Sequence, residues 1–406
     1  MLRIDLSHAK PGMKLALGVN HPRQRGHMLL KGGYELTHRS IARLSQLDIK
    51  HVWLHFASLD FLQELVDPRV IAAHGQVVGH IADALKAAKS DSAAKLPFDV
   101  YGQSVRHLIS TLVQYPRSTM YLGDLFDTGG DPLLLQSATV TYLGLILGLR
   151  LEGYLVKERK RLTPGRATDL AALGTGAMFH DLGVVCLNEE VRRRYLASGD
   201  DSDPQWREHP RLGYEMLRGH VEPSAATCVL HHHQRCDGSG YAGHRSAQLD
   251  GHRIHVFARI IGLVEQFVRL CHPPSAAASP AQPTIASLCE LIEPSMLAKF
   301  DPQIVRALLA VVPPYPPGQM VQLNDDRWAV CIDHNPNDPC RPVVRIVPSP
   351  QELAPDELPE LATIDLSKQD GKLCVSGCDG RDVTDLNFAM PDLDRAGFIE
   401  VALVRR

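Results

Sequence analysis

The stretch that decides the fold reads His231-His232-His233-Gln234-Arg235-Cys236-Asp237-Gly238-Ser239-Gly240-Tyr241, and it follows an apolar run from residue 225 to residue 230. Three consecutive imidazoles at the end of an apolar helix are hard to explain by packing, and neutral imidazole is the commonest metal ligand in proteins. Successive helical residues point about 100° apart, so two of the three can share one ion if the helix ends there. The loop 237–240 is tight and glycine-rich, which lets backbone amides approach an anion.

Further candidate ligands lie upstream of this stretch. Nine of the 20 histidines fall between residues 180 and 255. His180-Asp181 follows an apolar helical run, and a carboxylate next to an imidazole can bridge two cations. His209 follows a polar loop and opens another helix. A lone His-Asp pair often occurs by chance, and His209 alone is typical of a capping or surface position, but together with the three imidazoles they predict a metal site. The remaining histidines of this region are interpreted as ordinary surface or core residues: His220, His244, His252 and His255.

The apolar periodicity predicts a multidomain chain of mainly α class. An all-helical domain is flanked by a small α+β N-terminal domain and a small antiparallel β C-terminal domain with a tail. The predicted segments are 1–62 for the N-terminal domain, 63–100 for a helical connector, 101–312 for the helical domain and 313–406 for the C-terminal domain. In the N-terminal domain, strands are predicted at 13–17, 28–30 and 51–54, with a helix capped by Thr37.

Composition narrows the class of protein. Of 406 residues, 44% are hydrophobic and 22% charged, which is ordinary for a globular protein. The net charge of −3 excludes the basic footprint of a DNA-binding protein. Nine cysteines without paired spacing indicate reduced thiols and a cytoplasmic location. The apolar run 133–149 contains Gln136 and several hydroxyl residues, so it predicts a buried helix and no membrane span.

The order of these motifs resembles the signature of the HD-GYP family. His180-Asp181-Leu182-Gly183 is followed by His209-Pro210 with Gly213 behind it, then by the stretch 232–241, then by Ala258-Arg259-Ile260-Ile261. The flanking segments are similar to companion domains often attached to that family, with Pro11-Gly12-Met13 in front and the sheet after Pro317-Gly318 behind. The resemblance covers most of the chain and is most specific between residues 170 and 265.

The resemblance implies an all-helical HD domain that binds two or three metal ions, often iron or manganese, and hydrolyses cyclic di-GMP to the linear dinucleotide or GMP. It also implies a role in bacterial second-messenger signalling and a GGDEF-type cyclase as a candidate partner. By the same resemblance, His180 and Asp181 are the catalytic pair. The implied metal ligands are His180, Asp181, His209, His232, His233 and Glu265. The implied substrate-binding residues are Arg235, Asp237, Gly238, Gly240, Tyr241 and Arg259.

Several positions depart from the family pattern. Gln136 stands where the family places its first metal histidine, and Pro132 stands where three-metal members place a glutamate. Val184 replaces the lysine after the His-Asp motif, Ala242 replaces the proline of Gly-Tyr-Pro, and Glu265 replaces an aspartate. The family's phosphate-binding arginines would fall in 273–278, where there is none, so Arg235, Arg245 and Arg259 are the remaining candidates. The sequence therefore predicts one bound ion and leaves the second open.

Two hypotheses about function follow from this pattern. The chain is a metal-dependent cyclic di-GMP phosphodiesterase, active at a reduced rate, or it is a non-enzymatic nucleotide sensor or scaffold built on the same frame. The intact set of Asp181, His209, His232 and His233 favours the enzyme, whereas Gln136 favours the scaffold. A purely structural helical domain leaves the ordered motifs unexplained. Oligomeric state and input signal are left open.

Overall fold

A computed structural model describes residues 1–24, 26–91, 95–118, 130–243, 246–274, 282–355 and 362–391. The chain is rich in helix and carries an antiparallel sheet near its C-terminus, as the sequence predicts. The helices are α1 His38–Gln46, α2 Pro68–Ser90, α3 Phe98–Gln114, α4 Pro132–Arg150, α5 Glu152–Glu158, α6 Pro164–Ala167, α7 Ala171–Phe179, α8 Glu189–Ser198, α9 His209–Leu217, α10 Pro223–His231, α11 Val256–Cys271, α12 Thr284–Leu291, α13 Pro294–Leu297 and α14 Pro302–Val311. The strands are β1 Leu2–Asp5, β2 Val19–Asn20, β3 Met28–Leu30, β4 His51–Leu54, β5 Met320–Leu323, β6 Trp328–Asp333, β7 Val343–Val347, β8 Thr363–Asp365, β9 Val375–Cys378 and β10 Arg381–Asp382.

Two helices that are apolar on all sides form the centre of the helical core. In α4, every residue from Ser137 to Gly148 is buried, and α7 is buried from Ala172 to Phe179. A helix without a polar face belongs in a protein interior. By length and composition α4 could cross a membrane, but 72% of its apolar window is covered by the rest of the protein. It packs against α2, α7, α11 and α14, as expected of a core helix.

Helix α2 contributes to this same core. Its buried face, which includes Val77, Ile81 and Leu85, packs against α3 and α4. The segment 63–100, predicted as a connector, thus supplies a 23-residue helix to the helical domain. The four domain boundaries themselves stay predictions.

The N-terminal segment and the C-terminal sheet share a hydrophobic core. The sheet is antiparallel throughout, with strand order β10-β9-β5-β6-β7-β8. Met320, Val330 and Val347 of the sheet are buried together with Leu2 and Leu54 of the N-terminal segment. Separate periodicity in the two segments gives no sign of this contact, because it joins residues more than 250 positions apart.

The N-terminal prediction was wrong about one strand. Residues 13–17 form no strand, and only isolated bridges join Lys14 to Glu35 and Leu15 to Leu54. The partner of β4 is β1, which pairs with it in antiparallel register. Alternation of apolar residues occurs in both segments, and tertiary packing decides which of them pairs with β4.

A buried histidine in α2 gives the helical core a dependence on pH. His74 is fully buried, and its Nε2 lies 3.1 Å from the carbonyl oxygen of Ala138. Burial lowers the pKa of His74 to about 4, against the smaller opposing effect of that hydrogen bond. Between pH 6.5 and 4 the unfolded chain therefore takes up a proton that the folded chain refuses, and stability falls as the pH falls.

We expect the shifted pKa of His74 to lower the unfolding free energy by about 2 to 3 kcal/mol when the pH falls from 7 to 4.5. Urea denaturation of the wild type and of His74→Gln at the two pH values measures it. In the variant, the decrease in unfolding free energy between the two pH values should be smaller by this amount, because glutamine does not titrate. Equal acid sensitivity in the two proteins would contradict the prediction.

Candidate metal centre

Four helices bring the predicted ligands to one point. Helix α7 ends directly before His180 and Asp181, and α9 begins at His209. Helix α10 ends at His231, so His232 and His233 occupy the turn that follows it. The break in the helix lets two neighbouring imidazoles face the same point. Glu265 projects from the middle of α11 and is 1% exposed.

One group of four residues has the spacing of a cation site. Asp181, His209, His232 and His233 each offer a ligand atom, all within 4.8 Å of one another, and all four residues are buried. The Oδ1 of Asp181 lies 3.2 Å from Nε2 of His209 and 3.7 Å from Nε2 of His232. The Nε2 of His233 lies 3.1 Å from Nε2 of His209. The structure thus brings together the four side chains whose convergence the sequence predicts.

Backbone carbonyls fix the orientation of the imidazoles. The Nδ1 of His180 lies 2.7 Å from the oxygen of Ala177, that of His209 2.8 Å from the oxygen of Trp206, and that of His232 2.7 Å from the oxygen of Val229. If Nδ1–H donates to the carbonyl, Nε2 is left with a free lone pair that faces the cluster. This arrangement is the usual one at metal-binding histidines, since it sets the tautomer and the ring plane.

A second group adjoins the first through Asp181. His180, Asp181 and Glu265 also offer ligand atoms within 4.8 Å of one another. The Nε2 of His180 lies 3.3 Å from Oδ2 of Asp181. On the other side, Nδ1 of His233 lies 3.6 Å from Oε2 of Glu265. Asp181 therefore presents one oxygen to each group, as a bridging carboxylate does.

Buried polar atoms without hydrogen bonds show that the residues fit a cation. Such atoms include Nε2 of His180, Oδ1 of Asp181, Nδ1 of His233 and Oε2 of Glu265. A buried polar group without a partner costs free energy, and a coordinated ion would remove that cost. Imidazole nitrogens mixed with carboxylate oxygens suit divalent iron, manganese or zinc.

Electrostatics keep Asp181, His232 and His233 in the ligand form. Burial favours the neutral acid of Asp181, but the neighbouring His180 outweighs it and holds the pKa of Asp181 well below its usual range. Burial lowers the pKa of His232 and of His233, which keeps both imidazoles neutral. For His180 burial acts in the same direction, but Asp181 outweighs it and raises the pKa to about 9, so His180 has to release a proton before its Nε2 can bind a cation.

Gly183 allows the His-Asp turn to lie against the start of α9. A Cβ added at Gly183 would lie 2.1 Å from the carbonyl oxygen of His209 and 2.5 Å from the amide of Gly213. Both obstacles are backbone atoms, so a larger residue has to push α9 away. Because His209 is the first residue of α9, the packing at Gly183 also sets the position of a candidate ligand.

We expect Gly183→Ala to lower the unfolding free energy by about 1–3 kcal/mol and to weaken Mn²⁺ binding as well. Gly144→Ala is the matched control, since its added Cβ meets only Ala177 Cβ at 4.0 Å. Alanine is preferred over glycine in a helix by about 1 kcal/mol, so the control should be neutral or stabilising. Urea denaturation and calorimetric Mn²⁺ titration measure the two effects. A Gly183→Ala protein as stable as the control would refute the packing argument.

The residues of the loop after α10 mainly stabilise the loop itself and its packing against the preceding turn. The carboxylate of Asp237 accepts hydrogen bonds from the amide and the hydroxyl of Ser239, which closes a tight turn. Gly238 has a positive φ of 79°. A Cβ at Gly240 would lie 2.2 Å from the carbonyl oxygen of His233, so this loop packs directly against the turn that holds His232 and His233. A substrate-binding role for Asp237, Gly238 and Gly240 stays a prediction.

Tyr241 contacts the cluster directly. Its ring stacks on that of His233, with centroids 4.5 Å apart and planes 24° from parallel. The guanidinium of Arg207 lies 4.8 Å from the ring centroid of Tyr241. The Tyr241 hydroxyl is buried without a hydrogen-bond partner, and burial raises its pKa well above the usual value. Of the predicted substrate residues, Tyr241 is the one placed against a ligand ring.

The two described arginines predicted to bind phosphate are engaged elsewhere. Arg235 donates to the carbonyl oxygen of His232 at 2.9 Å and lies over the ring of Phe300. Arg259 forms buried ion pairs with Glu158 and Asp301. The third candidate, Arg245, lies outside the described residues. Phosphate binding by these arginines stays a prediction, and their contacts favour a structural role for Arg235 and Arg259.

Sequence reasoning missed one arginine beside the cluster. Nη1 of Arg269 lies 3.8 Å from Oε1 of Glu265, and the Arg269 side chain is 13% exposed. Arg269 follows Glu265 by four residues in α11, and residues with that spacing share a helix face. The helical period could therefore have identified Arg269. The segment 273–278, where the resemblance places the phosphate-binding arginines, lies beyond the end of α11.

Comparisons with known proteins found one family model and several relatives. The HD domain family model matches residues 154–304, which include the candidate ligands. Cyclic di-GMP phosphodiesterase PA4108 from Pseudomonas aeruginosa is 27% identical over 61% of this chain and 57% of that protein. The cyclic di-GMP phosphodiesterase response regulator RpfG from Xanthomonas campestris is 31% identical over 33% of this chain and 34% of that protein. The chain thus spans little more than half the length of the first of these relatives.

A solved structure also resembles the chain. Bd1817, an HDG"Y"P protein from Bdellovibrio bacteriovorus, overlaps with 76% of this chain and 97% of that one, at a TM-score of 0.43 and 14% identity.

Residues 154–304 match the HD domain family, and the clustered His-Asp pair lies within them. The named relatives support the resemblance to HD-GYP proteins that the motif order indicates.

Proposed function

We propose that this chain is a metal-dependent phosphodiesterase that hydrolyses cyclic di-GMP, at a reduced rate because Gln136 replaces one ligand. The observation that carries the proposal is the buried convergence of Asp181, His209, His232 and His233. The relatives named as cyclic di-GMP phosphodiesterases support the choice of substrate. The expected products are the linear dinucleotide and GMP.

The four residues would hold a divalent ion, with iron or manganese as the expected metals. Such an ion lowers the pKa of a bound water and polarises a phosphoryl oxygen, which is the chemistry that phosphodiester hydrolysis needs. The chain's own residues prepare the position. The carbonyls of Trp206 and Val229 orient two imidazoles toward it, and Asp181 presents an ionised oxygen. Tyr241 covers one face of His233 and excludes water from that side.

Turnover by the full chain tests this proposal. Metal-free protein is loaded with Mn²⁺, or with Fe²⁺ under anaerobic conditions, and incubated with cyclic di-GMP, and the products are separated by chromatography. We expect the linear dinucleotide or GMP to form, and a chelator to stop the reaction. An absence of turnover with every divalent metal would reject the enzyme.

The replacement of a metal histidine supports a second candidate. The Nε2 of Gln136 lies 2.8 Å from Oδ2 of Asp181, so an amide donor holds a carboxylate oxygen that a metal ion would otherwise use. A non-enzymatic cyclic di-GMP sensor would keep binding the nucleotide without cleaving it. Calorimetric binding with no product after long incubation would favour this candidate, including a scaffold role toward GGDEF-type partners.

A further inference from the structure

Gln136 joins the two buried carboxylates of the cluster. Its Nε2 lies 2.8 Å from Oδ2 of Asp181 and 3.4 Å from Oε1 of Glu265. The side-chain amide has two N–H donors, so one nitrogen can donate to both carboxylates. A single nitrogen between two carboxylate oxygens occupies the position from which a second ion would contact both residues.

Arg269 supplies positive charge on the same side. Its Nη1 lies 3.8 Å from Oε1 of Glu265, the oxygen that also faces Gln136. The guanidinium is held by Asp201, whose Oδ2 is 3.3 Å from Nη1, and it lies over the ring of Tyr195. Arginine stays charged at any working pH, so this charge is permanent.

We propose that Gln136 and Arg269 together take the place of a second metal ion, so that the chain binds a single cation, at the group of Asp181, His209, His232 and His233. The inference deepens the proposed function, on which it rests for that one ion. The amide satisfies the oxygens that face it, and the guanidinium balances the charge of Glu265. A second divalent ion would have to displace the amide and approach a like charge at close range.

The opposite orientation of the Gln136 amide would allow a second ion to bind. If the Gln136 amide were rotated, its oxygen would face the carboxylates and could ligate a second ion. The Nε2 of His180 and the Oε2 of Glu265, both without hydrogen bonds, would then complete that ion's ligands. The two arrangements differ in the number of ions per chain, which is directly measurable.

The experiment uses the full chain and Mn²⁺ alone. Metal-free protein is loaded with excess Mn²⁺ and desalted, the metal is counted by elemental analysis, and electron paramagnetic resonance reports whether ions are coupled. We expect one ion per chain with the hyperfine pattern of an isolated Mn²⁺. Gln136→His should raise the count to two and produce a coupled signal, because an imidazole replaces the amide. Gln136→Met, which has a similar length but neither donor nor amide oxygen, should keep one ion.

The wild-type count decides the inference whether or not the histidine variant folds. Two coupled ions in the wild type would overturn it and leave the proposed function intact. No bound ion would overturn it together with the metal site on which the proposed function depends.

Discussion

Replacement of Asp181 by asparagine is expected to abolish both metal binding and turnover of cyclic di-GMP. Asp181 is the residue shared by the two ligand groups, and its Oδ1 faces His209 and His232. An amide cannot supply the negative charge that holds a cation among neutral imidazoles. Losing a bound ion removes several kcal/mol of transition-state stabilisation, which corresponds to a fall in kcat/KM of about 10³-fold or more.

The measurement pairs elemental analysis of Mn²⁺-loaded protein with steady-state kinetics. Asp83→Asn is the matched control, because Asp83 is an exposed aspartate of α2 outside the ligand cluster. The control should keep its metal and its rate. Thermal unfolding of the metal-free proteins separates loss of the ion from loss of the fold. An Asp181→Asn protein that binds Mn²⁺ as the wild type does would show that the cation lies elsewhere.

Replacement of Arg259 by methionine is expected to lower the unfolding free energy by about 3–5 kcal/mol. The side chains of Arg259 and Asp301 are each 2% exposed, and Glu158 pairs with the same guanidinium. Tyr154 adds its hydroxyl, 2.6 Å from Oδ2 of Asp301 and 3.0 Å from Nη1 of Arg259. Removing the arginine leaves the carboxylates of Glu158 and Asp301 unpaired where little water reaches them. The free-energy cost of these unpaired charges exceeds that of losing an ion pair on the surface.

Arg253→Met provides the comparison on the surface. Arg253 pairs with Asp250 at 3.1 Å but is 63% exposed, and exposed pairs contribute between 0 and about 1 kcal/mol. Urea denaturation of both variants gives the difference. Steady-state kinetics of the Arg259→Met protein test the predicted phosphate role of Arg259. A variant with unchanged stability and a KM for cyclic di-GMP raised tenfold would restore that role and contradict the structural one.

The clustering of Asp181, His209, His232 and His233 could be predicted from sequence because each of them belongs to a short motif. His180-Asp181 and His232-His233 are adjacent pairs at helix ends, and their order along the chain identifies the family that brings them together. The buried helix 132–150 was also predictable, since a run apolar on every face has one stable place in a globular protein.

The features that could not be predicted from the sequence depend on contacts between residues far apart in the chain. The partners that occupy Arg259 are Glu158 and Asp301, which lie about 100 positions before it and about 40 after it. No local pattern relates these three residues. The contact of Gln136 with Glu265 is equally distant, so the sequence revealed that a histidine was missing but not what the glutamine does instead. The shared core of the N-terminal segment and the sheet has the same origin.

Anomalous X-ray diffraction from crystals of the Mn²⁺-loaded chain tests the central claim most directly. The account predicts an anomalous peak within coordination distance of Asp181 Oδ1, the Nε2 atoms of His209 and His232, and the ring of His233. A peak at another position, or no peak in protein shown by elemental analysis to hold Mn²⁺, would contradict it.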